Sequence, residues 1–323
     1  MRVLVADKFE KSGLDGLKDI GTDVVYEPDL QDAALGARIK ETEAEALVVR
    51  GTKVTGEMMA GSKLKLIIRA GAGYNTIDCK TASELGIRVC NCPGKNSQAV
   101  AELAFGLILS CDRRIPDNVA QLRAGKWNKK EFSKTQGLHG RTIGLVGMGY
   151  IGKEMIPRAK AFGMVVLAYS NYLSPDEAME LEIEKVDDLS ELAARSDVVS
   201  VHTSLRDDTR GLIGEKFFDA MKQGSIFVNT SRAEVVDQSA LLKAVDEKKI
   251  WAGLDVFHGE PTGGEGEYDG PLKTSPRVYC THHIGASTEQ AQEAVATEVV
   301  RIVSEFQATG HAPNVVNKVP ATA

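Results

Sequence analysis

The sequence has few cysteines, no surplus of basic charge and no long apolar run, and each lack excludes a class of protein. The five cysteines are odd in number and lack the spacing of zinc or redox motifs, so we expect reduced thiols, no metal site and a cytoplasmic protein. The net charge is -6 without a basic stripe, which argues against a nucleic-acid partner. No stretch reaches the roughly 18 apolar residues of a membrane span, and the N-terminus lacks the apolar core of a signal peptide.

The predicted architecture follows from short apolar runs that alternate with helical segments. The 323 residues are 43% hydrophobic and 26% charged, which is enough apolar material for about two domain cores. Continuous runs, many of them β-branched, are typical of parallel strands covered on both faces. We therefore predict an α/β fold with two doubly wound parallel-sheet domains. The predicted strands are 3–6, 24–26, 46–49, 64–68 and 89–92 in a first sheet, and 142–146, 165–169, 198–202, 225–229, 253–257 and 278–281 in a second.

The segments between and after these strands predict the domain boundaries. Residues 99–110 are apolar on nearly every side, as in a helix buried between domains or subunits, and on this ground we expect a homodimer. The polar residues 113–137 are predicted to form an extended arm or loop. Apolar residues recur at helical spacing between 295 and 306, so a last helix is expected to return to the first domain. The predicted domains are 1–98 with 290–323, and 99–289.

A glycine-rich loop follows the first strand of the second set and precedes a predicted helix. Gly147 permits a tight turn, Gly149 lets the backbone approach a pyrophosphate, and Gly152 lets the helix pack closely on the strand. This strand–loop–helix context predicts dinucleotide binding. Ser170 occupies the place of the acidic residue that binds the adenosine ribose of NAD, and no arginine stands beside it in the sequence. We expect NAD as the cofactor, with NADP as the alternative.

Three charged or titratable residues follow three successive strands beyond the glycine loop. Ligands of open α/β sheets bind at the carboxyl ends of the strands, where Arg232, Glu260 and His283 are expected. A histidine titrates near neutrality and suits the transfer of a hydroxyl proton, and a glutamate orients its ring. An arginine grips a carboxylate with two parallel hydrogen bonds. Together they predict hydride transfer from a hydroxyacid.

Seven motifs covering nearly the whole chain carry a family resemblance. They are RAGAGYNTID (69–78), NSQAVAE (96–102), GLVGMGYIG (144–152), VHTSLRDDTRGLI (201–213), NTSRAEVVD (229–237), AGLDVF (252–257) with Glu260-Pro261, and THHIGAST (281–288). With these motifs the chain resembles the D-2-hydroxyacid dehydrogenases, and within them the phosphoglycerate dehydrogenase branch. The resemblance implies a flavodoxin-like first domain that binds substrate, a Rossmann cofactor domain, and Arg232, Glu260 and His283 as the catalytic set.

The resemblance also implies contacts with substrate and cofactor. The backbone of 69–73 would cradle a carboxylate, and the cations would serve a phosphate or carboxylate. The implied substrate-binding residues are Arg50, Lys53, Ala72, Gly73, Asn96 and Lys129. The implied cofactor-binding residues are Gly147, Gly149, Tyr150, Ile151, Gly152, Tyr169, Ser170, Thr203, Ser204, Thr230 and Asp255. Asp255 is expected to bind the nicotinamide amide.

The chain departs from the family pattern at four positions. Ser170 replaces an aspartate and Ser204 a proline, and both changes fall in the expected adenosine pocket. Ala233 replaces a glycine beside the catalytic arginine. His282 replaces a proline, which leaves two candidates for the base; we choose His283 because the Ile-Gly that follows aligns it with the motif.

The resemblance leaves several functions open. The first is the interconversion of 3-phosphoglycerate and 3-phosphohydroxypyruvate, a step of serine biosynthesis. The alternatives are a glyoxylate or hydroxypyruvate reductase, another D-2-hydroxyacid dehydrogenase, and a non-catalytic scaffold that senses NAD(H). The chain ends soon after Phe306, so we do not expect the serine-sensing C-terminal domain that phosphoglycerate dehydrogenases often carry.

Overall fold

A computed structural model describes residues 1–261 and 265–319 of the chain. The contacts divide it into two compact units. The first consists of Met1–Asn96 together with the chain from Ala286 onward, and the second of Ser97–Gly285. Both units are built around a parallel sheet with helices on its faces, which confirms the predicted α/β fold.

The first unit has a five-stranded sheet in the order β2-β1-β3-β4-β5, and every pair is parallel. Its apolar strands have both faces covered, as the continuous hydrophobic runs predict. Its elements are β1 (Arg2–Val5), α1 (Lys11–Asp19), β2 (Asp23–Tyr26), α2 (Asp32–Glu41), β3 (Ala46–Val49), α3 (Gly56–Met59), β4 (Leu66–Arg69), α4 (Cys79–Glu84), β5 (Arg88–Asn91) and α13 (Glu289–Thr309).

The long helix α13 lies in the first unit, to which a last helix was expected to return. It packs beside α1, and its apolar stripe lies in the same core as the inner residues of the first sheet. Val295, Val299, Ile302 and Phe306 are all buried there. The opposite face of the sheet is covered by α2, α3 and α4.

The second unit has a seven-stranded parallel sheet in the order β12-β11-β10-β9-β6-β7-β8. Helices α5 and α8 cover one face, and α10, α11 and α12 cover the other. Its elements are α5 (Ser97–Arg113), α6 (Ile115–Arg123), α7 (Lys129–Phe132), β6 (Thr142–Val146), α8 (Tyr150–Ala161), β7 (Val165–Tyr169), α9 (Pro175–Glu180), β8 (Glu184–Lys185), α10 (Leu189–Arg195), β9 (Val198–Val201), α11 (Glu215–Ala220), β10 (Ile226–Asn229), α12 (Gln238–Glu247), β11 (Trp251–Leu254) and β12 (Val278–Cys280).

Two predictions need correction in this unit. The segment 113–137, predicted to be an arm or loop, contains α6 and α7; its polar composition hid them because neither helix buries a residue. The apolar helix α5 packs on α8, β10 and β11, so the sheet of its own unit accounts for its burial. That burial therefore gives no support to a subunit interface. No helix in the described part of the chain has the length and apolarity that crossing a membrane requires.

Candidate active site

The glycine loop joins β6 to α8 and has the close approaches that its glycines predict. Gly147 has a φ of +98°, and a Cβ there would lie 2.7 Å from the backbone nitrogen of Thr203. A Cβ on Gly152 would lie 2.2 Å from the carbonyl oxygen of Gly147, so only glycine lets the helix begin this close to the strand. Gly149 is the N-cap of α8, and apart from its two chain neighbours no described residue has an atom within 4 Å of where its Cβ would be. The loop thus presents open space to the helix N-terminus, which fits a pyrophosphate.

The other cofactor residues predicted from the sequence, apart from Asp255, lie in the first turn of α8 or directly at strand ends. The order β9-β6-β7 brings the ends of these strands together at the carboxyl edge. The carbonyl of Tyr169 accepts the N–H of Gly147 at 2.9 Å, which ties the end of β7 to the glycine loop. These residues are Tyr150, Ile151, Tyr169, Ser170, Thr203, Ser204 and Thr230. Their contacts with a bound cofactor stay a prediction.

His202 at the end of β9 is a residue that the sequence did not single out. Its side chain is buried, and burial lowers the pKa of its imidazole to about 3. Nδ1 lies 3.5 Å from the hydroxyl of Thr230, and Nε2 has no hydrogen-bond partner among the described residues. The buried ring therefore lies next to Thr230, one of the predicted cofactor residues.

Arg232, Glu260 and His283 follow β10, β11 and β12, which are neighbours in the sheet. Parallel strands end at one edge, so the three side chains arise there together. His282 and His283 are both exposed, but it is His283 whose Nδ1 lies 3.2 Å from Glu260 Oε1. The second oxygen of Glu260, Oε2, is buried without a hydrogen-bond partner among the described residues. Of the two histidines, His283 is the one whose ring an acid orients.

Asp255 fixes the loop that carries His283 through its carboxylate and its backbone carbonyl. Asp255 follows β11 and is 2% exposed. Its Oδ1 accepts hydrogen bonds from the Thr281 hydroxyl at 2.6 Å and the Ile284 N–H at 2.9 Å, and its Oδ2 accepts one from the Gly285 N–H at 2.8 Å. Its carbonyl accepts the N–H of His283 at 3.0 Å. His283 adopts a φ of +53°, a conformation that these bonds hold in place.

Asp255 was expected to bind the nicotinamide amide, and that contact stays a prediction. The structure adds a role in the loop that no sequence motif revealed, because the three hydrogen bonds join residues 26 to 30 positions apart. An aspartate at a buried strand end is the signal that could have suggested it.

Arg232 is half-buried at the start of a short 3-10 turn after β10. Its Nη1 donates to the Ser231 carbonyl at 2.7 Å, and the buried Asn229 side chain donates to the Arg232 carbonyl at 3.0 Å. Burial lowers the pKa of the guanidinium, and the carboxylates of Glu234 and Glu260 oppose this shift. A partly desolvated cation of this kind binds a carboxylate more strongly than an exposed one does.

In the first unit, the Asp7 carboxylate fixes the backbone of the loop that carries Arg50 and Lys53. Asp7 Oδ2 accepts the backbone N–H groups of Arg50 at 2.5 Å, Gly51 at 3.0 Å and Thr52 at 3.1 Å. Its Oδ1 accepts the Thr52 hydroxyl at 2.7 Å. Asp7 therefore occupies the N–H groups of residues 50–52, whereas it does not bond the side chains of half-buried Arg50 and exposed Lys53.

The loop after β4 contains Ala72 and Gly73. Gly71 has a φ of +144°, and a Cβ there would lie 1.6 Å from Arg69 Nη1, so the guanidinium curls over the backbone at this point. Asn91 donates to the Ala72 carbonyl at 2.6 Å. Ala72 and Gly73 are half-buried. These contacts fix the turn, and the binding of a carboxylate by its backbone stays a prediction.

The last two predicted substrate residues lie apart from these loops in the chain. Asn96 is half-buried and is the last residue of the first unit before Ser97 opens α5. Lys129 is the first residue of α7, in the second unit, and is exposed. Substrate binding by Asn96 and Lys129 stays a prediction.

The sequence family that matches this chain is the D-isomer specific 2-hydroxyacid dehydrogenase, NAD binding domain, over residues 105–285. D-3-phosphoglycerate dehydrogenase of Methanocaldococcus jannaschii is 40% identical over 98% of this chain, which covers 59% of that protein. Hydroxypyruvate reductase of Thermotoga maritima is 44% identical over 80% of this chain and 83% of its own length. The solved TT0316 protein of Thermus thermophilus is 33% identical with a TM-score of 0.87, covering 98% of this chain and 100% of that one.

The chain belongs to the D-isomer specific 2-hydroxyacid dehydrogenase family. This confirms the resemblance carried by the seven motifs and makes the second unit the NAD-binding domain of this dehydrogenase family. The chain spans about six-tenths of the length of the phosphoglycerate dehydrogenase it matches.

Proposed function

We propose that the chain is an NAD(P)-dependent oxidoreductase that transfers a hydride between the nicotinamide and a D-2-hydroxyacid. The observation that carries this proposal is the 3.2 Å contact between His283 Nδ1 and Glu260 at strand ends next to Arg232. An acid–base pair beside a desolvated arginine suits a substrate with both a hydroxyl and a carboxylate.

The side chains of His283, Glu260, Arg232 and Asp255 divide the work of this reaction. A nicotinamide dinucleotide held at the glycine loop would supply the hydride in reduction and accept it in oxidation. His283 Nδ1 faces Glu260, so Nε2 is left to take the proton of the C2 hydroxyl in oxidation and to return it in reduction. Glu260 holds the ring and stabilises its charged form. Arg232 grips the substrate carboxylate, and Asp255 keeps the His283 loop in place.

We propose 3-phosphoglycerate and 3-phosphohydroxypyruvate as the physiological pair, in serine biosynthesis. A substrate with one carboxylate needs few cations, whereas a phosphate adds about two negative charges. Arg50 and Lys53 follow β3 on a loop whose backbone is fixed by Asp7, and Lys129 offers a third cation. The similarity to phosphoglycerate dehydrogenases supports the same choice.

A hydroxypyruvate or glyoxylate reductase is the second candidate, and Asp7 is the observation that favours it. The Asp7 carboxylate uses the backbone amides of the Arg50 loop and places a negative charge beside them. A phosphate would have to bind against that charge, whereas an unphosphorylated substrate would not.

The homodimer also belongs to the proposal, on a different ground from the one the sequence suggested. Helix α6 exposes Ile115, Val119 and Leu122 at helical spacing, with 45%, 41% and 57% of their surface accessible, and Trp127 follows with 80%. A row of exposed apolar side chains suits a second copy of the chain. Three of the five cysteines are buried thiols, which supports a reducing compartment such as the cytoplasm.

The test compares kcat/KM for 3-phosphohydroxypyruvate, hydroxypyruvate and glyoxylate with NADH and with NADPH. We expect all three to be reduced, with the phosphorylated substrate preferred. A preference for hydroxypyruvate or glyoxylate would select the second candidate. If no 2-oxoacid supports the oxidation of NADH or NADPH, the proposed enzymatic activity would be contradicted and the NAD(H)-sensing scaffold favoured.

A further inference from the structure

The residue at the end of β7 decides which ribose a Rossmann domain accepts. A carboxylate there accepts hydrogen bonds from the ribose 2′-hydroxyl of NAD and repels a 2′-phosphate. Here Ser170 occupies the position, and its hydroxyl accepts the N–H of Tyr172 at 3.2 Å. The repelling charge is therefore replaced by a small neutral group in a turn.

A cation reaches this turn from a different strand. Arg206 lies in the loop after β9, and its Nη1 donates to the Tyr172 hydroxyl at 2.9 Å. Its guanidinium also stacks on the Tyr172 ring, 5.2 Å from the centroid. Strands β9 and β7 flank β6, which carries the glycine loop, so both ends meet at the cofactor edge. Sequence analysis did not identify this arginine because it is 36 residues away from Ser170 along the chain.

The charges around Arg206 leave it able to bind an anion. Its Nε donates to Asp208 at 3.1 Å, with both side chains largely exposed at 42% and 61%. An exposed ion pair is weak, about 0–1 kcal/mol, and exchanges readily for a stronger anion. The two contacts use two of the roughly five N–H donors of a guanidinium, whose planar fork matches a phosphate. Asp207 in the same loop is exposed and adds a screened repulsion.

We propose that Arg206, held by Tyr172 beside Ser170, binds the 2′-phosphate of NADP, so that this chain prefers NADP(H) to NAD(H). The proposal rests on the glycine loop as the dinucleotide site, but it does not depend on the identity of the hydroxyacid. Ser170 leaves room for the phosphate, Tyr172 orients the guanidinium, and Arg206 supplies the charge.

The experiment measures equilibrium binding by calorimetry with 2′,5′-ADP and with 5′-AMP, which differ only in the 2′-phosphate. The unmodified chain is expected to bind 2′,5′-ADP more tightly. Arg206→Ala should weaken 2′,5′-ADP by roughly 10- to 100-fold, the range for one charge-assisted contact, and leave 5′-AMP unchanged. Ser170→Asp should reduce 2′,5′-ADP binding without harming 5′-AMP.

The matched control is Arg210→Ala, which removes an exposed arginine four residues further along and should change neither affinity. Equal affinity of the unmodified chain for the two nucleotides would overturn the proposal, as would equal loss of both in Arg206→Ala. Neither nucleotide carries a nicotinamide or meets a substrate. Such a result would therefore leave the proposed hydride chemistry standing, whereas failure to turn over any 2-oxoacid would leave the phosphate site standing.

Discussion

The carboxyl edge of the second unit and the Arg50 loop of the first unit satisfy their polar groups in opposite ways. At the edge, burial lowers the pKa of Arg232, and one oxygen of Glu260 is buried without a partner among the described residues. In the loop, Asp7 satisfies three backbone amides and a hydroxyl. A buried polar group without a partner is costly, and a catalytic role is one explanation for its presence. Under the proposed function, the edge performs the chemistry, and the side chains on the Arg50 loop, whose backbone Asp7 fixes, select the substrate.

The largest expected effect is on the proton carrier. His283→Ala should lower kcat by roughly 10² to 10⁴, the contribution of general acid–base catalysis. Steady-state reduction of 3-phosphohydroxypyruvate measures it, with nucleotide affinity as a check that the fold is intact. The matched control is His282→Ala, which removes the exposed neighbour and should keep the normal rate. The reverse pattern would make His282 the base.

The next effect concerns the grip on the carboxylate. Arg232→Lys keeps the charge but loses the bidentate geometry, and should lower kcat/KM by roughly 10²-fold. The same steady-state assay measures it, and we expect Arg210→Lys to be silent. Unchanged kcat/KM in Arg232→Lys would show that the guanidinium does not hold the substrate.

A smaller effect concerns how much a buried ion pair stabilises the first unit. The Glu298 side chain on α13 is 6% exposed. It accepts hydrogen bonds from the side chains of Arg301 at 2.6 Å and Asn314 at 2.7 Å, and it forms an ion pair with Lys95 at 3.3 Å. The hydrogen bond from Arg301 is the main cause that lowers the pKa of Glu298 from 4.5 to about 2. A lowered pKa means that the stabilisation is complete above pH 4.5 and is lost as the pH falls towards 2.

Glu298→Gln should therefore reduce the free energy of unfolding at pH 7 by on the order of 2 kcal/mol. The deficit relative to the unmodified chain should shrink as the pH falls from 4.5 to 2. Urea unfolding followed by circular dichroism at several pH values measures both. Glu305→Gln, on the exposed side of Arg301, is the control. A deficit that does not vary with pH would contradict the ion-pair account.

The smallest effect concerns substrate choice. Arg50→Ala should lower kcat/KM for 3-phosphohydroxypyruvate by roughly 10-fold, the value of one charged hydrogen bond, and spare hydroxypyruvate. Lys63→Ala, an exposed cation paired with Glu43 in the same unit, is the control. Equal losses for both substrates would assign Arg50 to the carboxylate or to folding.

The strands and the glycine loop could be predicted because they depend on local pattern. Apolar runs predicted eleven of the twelve strands in the described part of the chain; β8 was not predicted because it consists of two polar residues, Glu184 and Lys185. Helix α6 escaped because none of its residues is buried, so it has no apolar stripe facing a core. Helical periodicity in a sequence reports burial, and an exposed helix gives no such signal.

The candidate site was predictable only in part. Arg232, Glu260 and His283 stand at strand ends, and topology then brings them to one edge. Asp7 and Arg206 act on partners more than 30 residues away through single side chains. No periodicity or spacing encodes such contacts, because loop geometry in three dimensions creates them.

One ratio separates the proposed role of the edge from that of the loop most directly. It is kcat/KM for 3-phosphohydroxypyruvate divided by kcat/KM for hydroxypyruvate, measured in His283→Ala and in Arg50→Ala. We expect His283→Ala to lower both values and leave the ratio unchanged, and Arg50→Ala to lower the ratio by roughly 10-fold. A changed ratio in His283→Ala, or an unchanged ratio in Arg50→Ala, would contradict the division of chemistry and selection between the two regions.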